Sequence, residues 1–490
     1  MQISHLQIVD AKSWKGLTTE NHLGAIWNEE PQKASELISK IQQRNYGMDI
    51  KTFLKKYPTK KFAKDTDYTW DLESKGVDNI ALVEARIDGT AVTAADQAGI
   101  NFSEFELVFP KDWFSMTEVI VGHKNEQYPI RIKEEGRAEG SNIVYTCELM
   151  TGDPNLFIPY EEIVSGKLFS REYAPAESTL SQRGRKVQHK SNISMRNAFS
   201  RIRIEKETPG NMVGRLLIAR MTTDDGKKSF NTWTHYESAR FDEEFQNDIN
   251  RVLMFGKSNR TTQGNYTQKG ISGYEIKMGA GLREQCETSN YSTYTTFDIE
   301  DLASRLMDMA EDKLGADERS FMLSTGERGM FQFSKSIEEY SQLFTPVRDN
   351  SRIYKTTQSG VQMAQGYGGQ FVEFNFNNNI KLNVSVMQMY DSKDRNKDRH
   401  PDGGVTESYR YDVWDIGTNN GQANIQLVAQ EGMESEIHGY IAGLRDPYSP
   451  IGGRVKNMQS SKDGWEEHKY WQGGVMVVDP TRTTHFVYNG

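Results

Sequence analysis

Residues 237–256 read ESARFDEEFQNDINRVLMFG, and this stretch decides how the rest of the chain is interpreted. Its apolar residues recur at the spacing of one helical stripe, and acidic residues occupy the opposite face. Arg251 and Gly256 stand near the end, where a helix favours a basic side chain and a glycine cap. The stripe consists of Phe241, Phe245, Ile249, Val252 and Leu253. The stretch therefore predicts a helix of about five turns.

The chain before this helix is typical of strands and loops. A helix is predicted at residues 31–44 and a basic linker at residues 51–64. Short apolar runs separated by turn residues then predict a compact β module. Its predicted strands are Tyr68–Leu72, Ile80–Ala85, Phe102–Phe109, Val119–Val121, Tyr128–Lys133 and Ile143–Leu149.

Basic residues are concentrated between Arg183 and Arg220, where ten lysines and arginines face two glutamates. Residues 198–204, AFSRIRI, alternate apolar and basic side chains, and residues 213–219 form a second apolar run. The Pro-Gly pair between them predicts a hairpin with a basic face. Such a hairpin could be a solvated surface or could bind an acidic partner, and the sequence leaves both readings open.

Helices and strands alternate after the 237–256 stretch. Asp298 is predicted to cap a helix that runs to Leu314, and Thr325 is the predicted cap of another that runs to Tyr340. A hairpin is predicted from Phe371–Phe376 and Ile380–Val386. Further strands are predicted at Ser320–Leu323, Tyr409–Trp414, Ile425–Ala429, Val475–Val478 and Phe486–Tyr488. This alternation indicates an α/β unit followed by a strand-rich unit.

Composition narrows the class of protein. The 490 residues carry a net charge of −9, which disfavours a uniformly basic nucleic-acid binder. Only 36% of residues are apolar and the mean hydropathy is −0.70, so an extended shape or burial by partners is expected. Cys147 and Cys286 are too far apart for a CxxC metal site and too few for a disulfide framework. No apolar run fits a signal peptide or a membrane span, so synthesis in the cytosol is expected.

Catalytic motifs are missing from the sequence. It contains no GxxxxGK[ST] phosphate loop, HExxH zinc motif or GxSxG elbow. Residues 394–398, DRNKD, space oxygen ligands as a calcium loop does, but the required glycine and glutamate are replaced by Arg399 and Val405. We therefore expect no catalytic residue, cofactor or metal, although a carboxylate pair for glycoside hydrolysis could come from any of the 68 acids.

The order of parts resembles the major capsid proteins of tailed bacteriophages, which have the Hong Kong 97 fold. These parts are the polar N-terminal arm, the basic hairpin at Met195–Ala219, the helix at Glu237–Phe255, the α/β unit and the strand-rich unit. The closing segment GYIAGLRDPYSPIGG, residues 439–453, is similar to the capsid proteins of crAss-like phages in particular.

This resemblance implies an α+β capsid fold with an additional β-rich insertion. The implied parts are an N-terminal arm (1–64), a β-rich insertion or enlarged base of the E-loop (65–169), the E-loop (170–236), a P domain with the long helix as its spine (237–345), an A domain (346–455) and C-terminal strands that return to the P domain (456–490). Some members of this family crosslink neighbouring subunits through an isopeptide bond between a lysine and an asparagine. No such pair is assigned in this sequence.

The resemblance also implies a function and partners. The chain is expected to be a structural capsid subunit without enzymatic activity, assembled in the cytoplasm of a bacterial host into hexamers and pentamers of an icosahedral head. Expected partners are further copies of itself, portal and head auxiliary or decoration proteins, and double-stranded DNA held loosely inside, with no membrane. The alternative is a tail-associated polysaccharide-degrading enzyme or a carbohydrate-binding tail component.

The charge pattern suggests how copies would meet. In the family the E-loop lies over the P domain of a neighbour, and here the hairpin is basic while the exposed face of the helix is acidic. Complementary charge of this kind steers subunits into register. The predicted interface residues are Arg183, Arg185, Lys186, Arg196, Arg201, Arg203, Asp242, Glu243, Glu244 and Asp248.

Overall fold

A computed structural model of the 490-residue chain describes most of its length. The residues described are 29, 50–55, 59–62, 67–72, 79–124, 127–181, 184–187, 191–213, 216–222, 229–287, 289–311, 314, 319–339, 345–347, 372–376, 380–419, 422–450, 455 and 457–490. The chain divides into two compact units. The smaller is Asp71–Ser194, and the larger combines Met1–Trp70 with Met195–Gly490.

The chain is a mixed α/β protein. The helices of the described residues are α1 (Ile50–Leu54), α2 (Trp233–Phe255), α3 (Leu282–Cys286), α4 (Ile299–Ala310) and α5 (Glu327–Glu339). The strands are β1 (Lys60–Phe62), β2 (Asp67–Leu72), β3 (Ile80–Ala81), β4 (Glu84–Ile87), β5 (Thr90–Ala91), β6 (Phe105–Phe109), β7 (Val119–Val121), β8 (Ile130–Ile132), β9 (Arg137–Glu139), β10 (Asn142–Leu149), β11 (Leu168–Arg171), β12 (Ile193–Ala198), β13 (Ser200–Pro209), β14 (Leu216–Thr222), β15 (Ser229–Thr232), β16 (Tyr291–Tyr294), β17 (Ser320–Thr325), β18 (Thr345–Val347), β19 (Val372–Phe376), β20 (Ile380–Val386), β21 (Tyr411–Asp415), β22 (Thr418–Asn419), β23 (Gln422–Ala423), β24 (Ile425–Gln430), β25 (Ile437–Ala442), β26 (Gly464–Val477) and β27 (Thr483–Tyr488).

The smaller unit is a β-barrel. In its described residues the strand order is β3-β11-β7-β8-β10-β6-β4, with every neighbouring pair antiparallel. β3 and β4 are two halves of one bent run. The Leu82 N–H donates to the Lys167 carbonyl at 2.8 Å, and the Val83 N–H donates to the Val108 carbonyl at 2.9 Å. The bend joins the two ends of the sheet, so the ring closes and its main strands have no open edge.

Aromatic and aliphatic side chains fill the barrel. Phe109 is fully buried, and its ring centroid lies 4.9 Å from that of Phe114 and 5.8 Å from that of Phe169. The Tyr145 hydroxyl accepts from the Trp113 N–H at 3.0 Å, so this buried polar group is satisfied. The smaller unit therefore has a hydrophobic core of its own.

A seven-stranded sheet forms one half of the larger unit. Its order is β16-β27-β21-β17-β20-β19-β18, with β17 parallel to β20 and β16 parallel to β27. Helix α4 buries Leu302 and Leu306 in the same core as Phe321 and Val413 of the sheet. β27, which follows all the other strands in chain order, lies between β16 and β21 in this sheet.

A five-stranded sheet forms the other half and positions α2. β1, β24, β26 and β13 follow one another, and β25 pairs with β26. β13 pairs antiparallel with β26 from Ser200 opposite Gly473 to Pro209 opposite Gly464. The stripe residues Phe245, Ile249 and Leu253 of α2 share a buried core with side chains of this sheet.

The structure confirms the helix at residues 237–255 and shows that it starts earlier, at Trp233. It also confirms Asp298 as the cap of α4, because its carboxylate accepts from the Glu300 N–H at 2.9 Å. Thr325 as the cap of α5 is wrong. Thr325 ends β17, and the first N–H of α5, that of Glu327, donates instead to the carboxylate of Asp391 at 3.0 Å. The helix predicted at residues 31–44 lies outside the described residues.

The predicted basic hairpin is also wrong. β13 pairs with β26 from near the end of the chain, and β14 pairs with β15. The Pro-Gly pair leads into a short helical turn at Gly210–Met212. β26 offers ten residues in register and lets Ile202 and Ile204 pack into the core beneath α2. Burial of apolar side chains therefore outweighs the local turn signal.

Two expected boundaries differ from the elements seen. The compact smaller unit runs from Asp71 to Ser194, where the sequence suggested 65–169. β11 is needed to close the barrel, which carries the unit past residue 169. The expected boundary between residues 345 and 346 falls inside β18, whose sheet combines strands from both sides of it.

Candidate functional site

α2 packs against the β13–β26 pair, and these elements carry six of the ten charged residues that the sequence singled out. Side chains of β13 alternate, so Ile202, Ile204 and Lys206 turn towards α2 while Arg201 and Arg203 turn to solvent. Because directly opposed residues of an antiparallel pair share a face, the same division applies to β26.

Lys206 is the centre of the inner face of this seam. Its ammonium group lies 2.6 Å from Glu467 Oε2 and donates to Ser238 Oγ at 2.8 Å, and it stands 5.5 Å from the centre of the Phe241 ring. Both charged side chains are nine-tenths buried. Burial alone would raise the pKa of Glu467, but the hydrogen bond from Lys206 and its charge outweigh burial and hold that pKa below its usual value.

Lys469 makes a second link between β26 and α2. It forms an ion pair with Asp242 and lies 5.5 Å from the centre of the Phe241 ring and 5.8 Å from that of Phe245. An ion pair within one chain therefore joins the helix to the sheet. Sequence reasoning missed both lysine links because the partner strand is more than 200 positions away.

Two of the other predicted acids of α2 lie close to basic side chains of the same helix, and the third is partly buried. Glu244 accepts from Arg240 at 3.2 Å, and Asp248 lies 3.7 Å from Arg251. Glu243 is half-buried. These acids are thus less available to a neighbour than the sequence suggested.

The predicted basic residues fall into separate places. Arg185 lies 3.5 Å from Glu118 and Lys186 lies 3.1 Å from Glu135, both inside the smaller unit. Arg196 forms an ion pair with Asp67 at 2.5 Å in the larger unit. Arg183 lies outside the described residues.

Arg201 and Arg203 remain on the solvent face of β13. Arg201 donates to Gln472 Oε1 at 3.2 Å, and the Arg203 guanidinium lies 3.4 Å from Nδ1 of His468. Within the described residues neither arginine forms an ion pair with a carboxylate. These two predicted residues are brought together as an exposed basic pair.

A third contact fixes the N-terminal side of the larger unit. The Lys51 N–H in α1 donates to Asn250 Oδ1 at 3.1 Å, and the Lys51 ammonium donates to Gln246 Oε1 at 3.0 Å. The same ammonium forms an ion pair with Glu436. The sequence showed this segment only as a basic linker, and nothing in its spacing predicted that one lysine would be buried on α2.

Asp412 is a fully buried acid that lies among basic groups and hydrogen-bond donors from several elements. Arg410 Nε and His485 Nδ1 each lie 2.8 Å from its Oδ1, and the Tyr390 hydroxyl donates to Oδ2 at 2.5 Å. Burial alone would raise the pKa of Asp412, but Arg410 and Arg283 hold it well below its usual range. Its oxygens are occupied by groups from several elements, so the cluster joins those elements together and presents no base to solvent.

The described residues contain neither a metal cluster nor a membrane-spanning helix. No group of three or more His, Cys, Asp or Glu side chains in the described ranges is arranged to hold a metal ion. Among the helices that the structure describes, none combines the length and the apolar character needed to cross a membrane.

Known proteins give the chain clear relatives. The model of the family described as Crassvirus major capsid protein matches residues 1–490. A protein named major capsid protein from Bacteroides phage crAss001 is 39% identical over 499 residues, covering 99% of this chain and 98% of the relative.

Solved structures give weaker likenesses. A chain of the capsid of cyanophage P-SCSP1u aligns over 97% of both chains with 8% identity and a TM-score of 0.33. A chain of the capsid of Myoviridae phage XM1 aligns over 76% of this chain and 86% of its own, with 9% identity and a TM-score of 0.29. TM-scores this low support no conclusion about this chain.

Proposed function

Because the chain belongs to the crassvirus major capsid protein family, we propose that it self-assembles into the hexamers and pentamers of an icosahedral head that encloses double-stranded DNA. Membership makes the chain a structural virion component and not an enzyme. The alternative, a polysaccharide-degrading enzyme or a carbohydrate-binding tail component, is not supported by any relative found.

The observation that carries this proposal is the match to a related capsid protein over 99% of this chain and 98% of the relative. The low mean hydropathy of −0.70 agrees, since a subunit that buries its edges against neighbours needs a smaller core of its own.

The proposed fold is that of Hong Kong 97, with α2 as the spine of the P domain. In support, the last strands of the chain pair with strands that precede them by far, as β26 pairs with β13 and β27 with β16. The proposed parts are the arm, the E-loop, the P domain, the A domain and the C-terminal strands, with the E-loop beginning after Ser194 instead of at residue 170. The barrel of Asp71–Ser194 is then the additional β-rich insertion.

The proposed interface between copies includes the basic and acidic residues that the sequence singled out. Arg201 and Arg203 are the strongest members, because they are exposed on β13 and form no ion pair with a described carboxylate. Asp242, Glu244 and Asp248 are weaker members, since each lies near a basic group of its own chain.

Other partners follow from the same proposal. A head needs portal and auxiliary or decoration proteins, and assembly would take place in the cytoplasm of the bacterial host. The net charge of −9 fits loose contact with packaged DNA, because a container that bound phosphates tightly would need a basic inner surface.

Electron microscopy of the purified chain tests the proposal. After expression without other phage proteins, the chain should form capsomers, closed shells or tubes, and sizing should show species of many subunits. A chain that stays monomeric or trimeric over a range of salt and protein concentrations would contradict self-assembly.

Reversal of the exposed basic pair tests the interface. The double variant R201E/R203E should impair assembly while leaving the far-UV circular dichroism spectrum unchanged, because both side chains are exposed and outside the core. A matched control is K397E/R399E in the exposed polar loop, which should assemble normally. Normal particles from R201E/R203E would show that these arginines are not part of the interface.

A further inference from the structure

One edge of β13 pairs with no other strand in the described part of the chain. Over its ten residues it pairs with β26 on one side, and within the part of the chain that the structure describes it pairs with no second strand. An open edge carries a row of backbone N–H and C=O groups that can pair with another strand. A long exposed edge is therefore a binding surface for an extended segment.

The side chains along this edge carry charges in a particular order. Arg201, Arg203, Glu205 and Glu207 are all exposed on one face of β13, so the order of charge along the strand is plus, plus, minus, minus. Read in the opposite direction, the order is reversed. A strand of this kind is complementary to a second copy of itself that runs antiparallel.

We propose that two copies of this chain pair through β13, antiparallel about a twofold axis at Ile204, so that their five-stranded sheets become continuous. In this register Arg201 stands opposite Glu207 of the second copy and Arg203 stands opposite Glu205. Both contacts occur twice because a twofold interface uses the same surface on each partner. The inference rests on the proposed self-assembly and names the strand and the partner acids.

The charges exclude the neighbouring registers. Shifting the axis by one residue along the strand, to Arg203 or Glu205, sets two like charges directly opposite each other. Parallel pairing in register would oppose like charges at all four positions. Like charges directly opposite are destabilising, so only the register centred on Ile204 satisfies all four side chains.

Glu205 and Glu207 make only exposed contacts within their own chain, so a second copy can replace those contacts. Glu205 has 79% of its side chain exposed, and its carboxylate lies 3.9 Å from Nδ1 of His468. Glu207 is 58% exposed and lies 3.2 Å from the Lys462 ammonium, itself 57% exposed. Such exposed contacts exchange readily, because screening and side-chain entropy leave them weak.

The acids of α2 fit the exposed arginines less well. α2 lies against the face of the sheet opposite to Arg201 and Arg203, and Asp242 is joined there to Lys469. A neighbour's α2 would have to give up such contacts to meet the arginines. Glu205 and Glu207 need no rearrangement of the core, and their spacing on the strand matches that of the arginines.

A disulfide across the proposed axis tests the register. In the variant R203C/E205C each cysteine faces a cysteine of the second copy, with Cβ atoms about 5 Å apart. Cysteines two residues apart on one strand are about 7 Å apart and do not bridge within a chain. The control R201C/E205C sets no cysteine opposite another. The native Cys147 and Cys286 are buried and do not compete.

Oxidation of R203C/E205C should give at least about tenfold more covalent dimer than oxidation of the control, whether the chain is soluble or in particles. Equal or absent dimer would overturn the strand contact. The same samples are imaged by electron microscopy, so the two proposals are judged separately. Particles without dimer contradict only the β13 contact, and dimer without particles contradicts only the proposed head.

Discussion

The barrel of the smaller unit closes on itself. The five-stranded sheet of the larger unit, in the described residues, ends on β13 at one side and on β25 and β1 at the other. In the barrel the bend between β3 and β4 joins the sheet to its other end, and the charged Glu118 is buried beside Arg171 at 3.4 Å. In the sheet the exposed side chains of β13 and of β25, which include Ile437 and Ile441, face solvent. Closure makes a unit independent of neighbours, and an open edge makes a unit that neighbours can extend.

The largest expected effect is a loss of stability of the barrel when a side chain of its core is removed. Phe109→Ala removes a fully buried ring from a cluster of aromatic side chains, and the resulting cavity should lower the free energy of unfolding of this unit by about 3–5 kcal/mol. Hydrogen exchange of the amides in β6 and β10 measures this directly.

The matched control for Phe109 is Phe102→Ala, because Phe102 is half exposed in the same unit. It should change protection by less than about 1 kcal/mol. Amides in α2 should keep their protection in both variants, since α2 packs in a different core. Equal loss of protection in α2 and the barrel would show that the two units do not unfold separately.

A smaller effect is expected where α2 meets the sheet. Glu467→Gln leaves the buried Lys206 ammonium without its carboxylate partner, which should reduce the stability of the larger unit by about 2 kcal/mol. Chemical denaturation monitored by circular dichroism gives the measurement. Glu466→Gln, the neighbouring glutamate on the solvent face of β26, should have a much smaller effect. If both variants were equally destabilised, burial of the Lys206 pair would not be the cause.

The same pair predicts a dependence on pH. The pKa of Glu467 is held below its usual value in the folded chain, so its contribution to stability is complete above the pKa of an unfolded glutamate and is lost as the pH falls through the folded value. The stability difference between the wild type and Glu467→Gln should therefore shrink below about pH 4. A difference that grew on acidification would have the wrong sign.

The smallest expected effect concerns the acidic face of α2. Glu244→Ala removes an exposed pair with Arg240 one turn away and should cost only about 0.3–0.5 kcal/mol of stability. The informative result is assembly, measured as the particle yield in a sedimentation assay. If β13 is the contact between copies, this variant assembles normally. A large loss of particles would instead indicate that the acids of α2 take part in the interface.

Much of the fold was readable from the sequence because local patterns determine it. The stripe from Phe241 to Leu253 gave α2, and Asp298 marked the start of α4. The strands of the barrel followed from short apolar runs between glycines. In each of these cases neighbouring residues alone satisfy the helix or strand period.

The pairing of β13 could not be read in the same way. Its partner β26 is more than 250 positions away, and local turn chemistry at Pro209 pointed to a hairpin instead. The buried links through Lys206 and Lys469 depend on that pairing, so they were hidden as well. The alternation with Ile202 and Ile204 marks Arg201 and Arg203 as exposed, but it does not show that Glu205 and Glu207 on the same strand complement them in a second copy.

Exchange of the charges along β13 tests the central claim most directly. The variants R201E/R203E and E205R/E207R each place like charges across the proposed twofold axis, while the quadruple variant R201E/R203E/E205R/E207R restores the complementary order with every sign reversed. Particle yield should fall about tenfold or more in both double variants and recover in the quadruple variant. A quadruple variant that assembles no better than the double variants, although its circular dichroism spectrum shows a folded chain, would contradict pairing through β13.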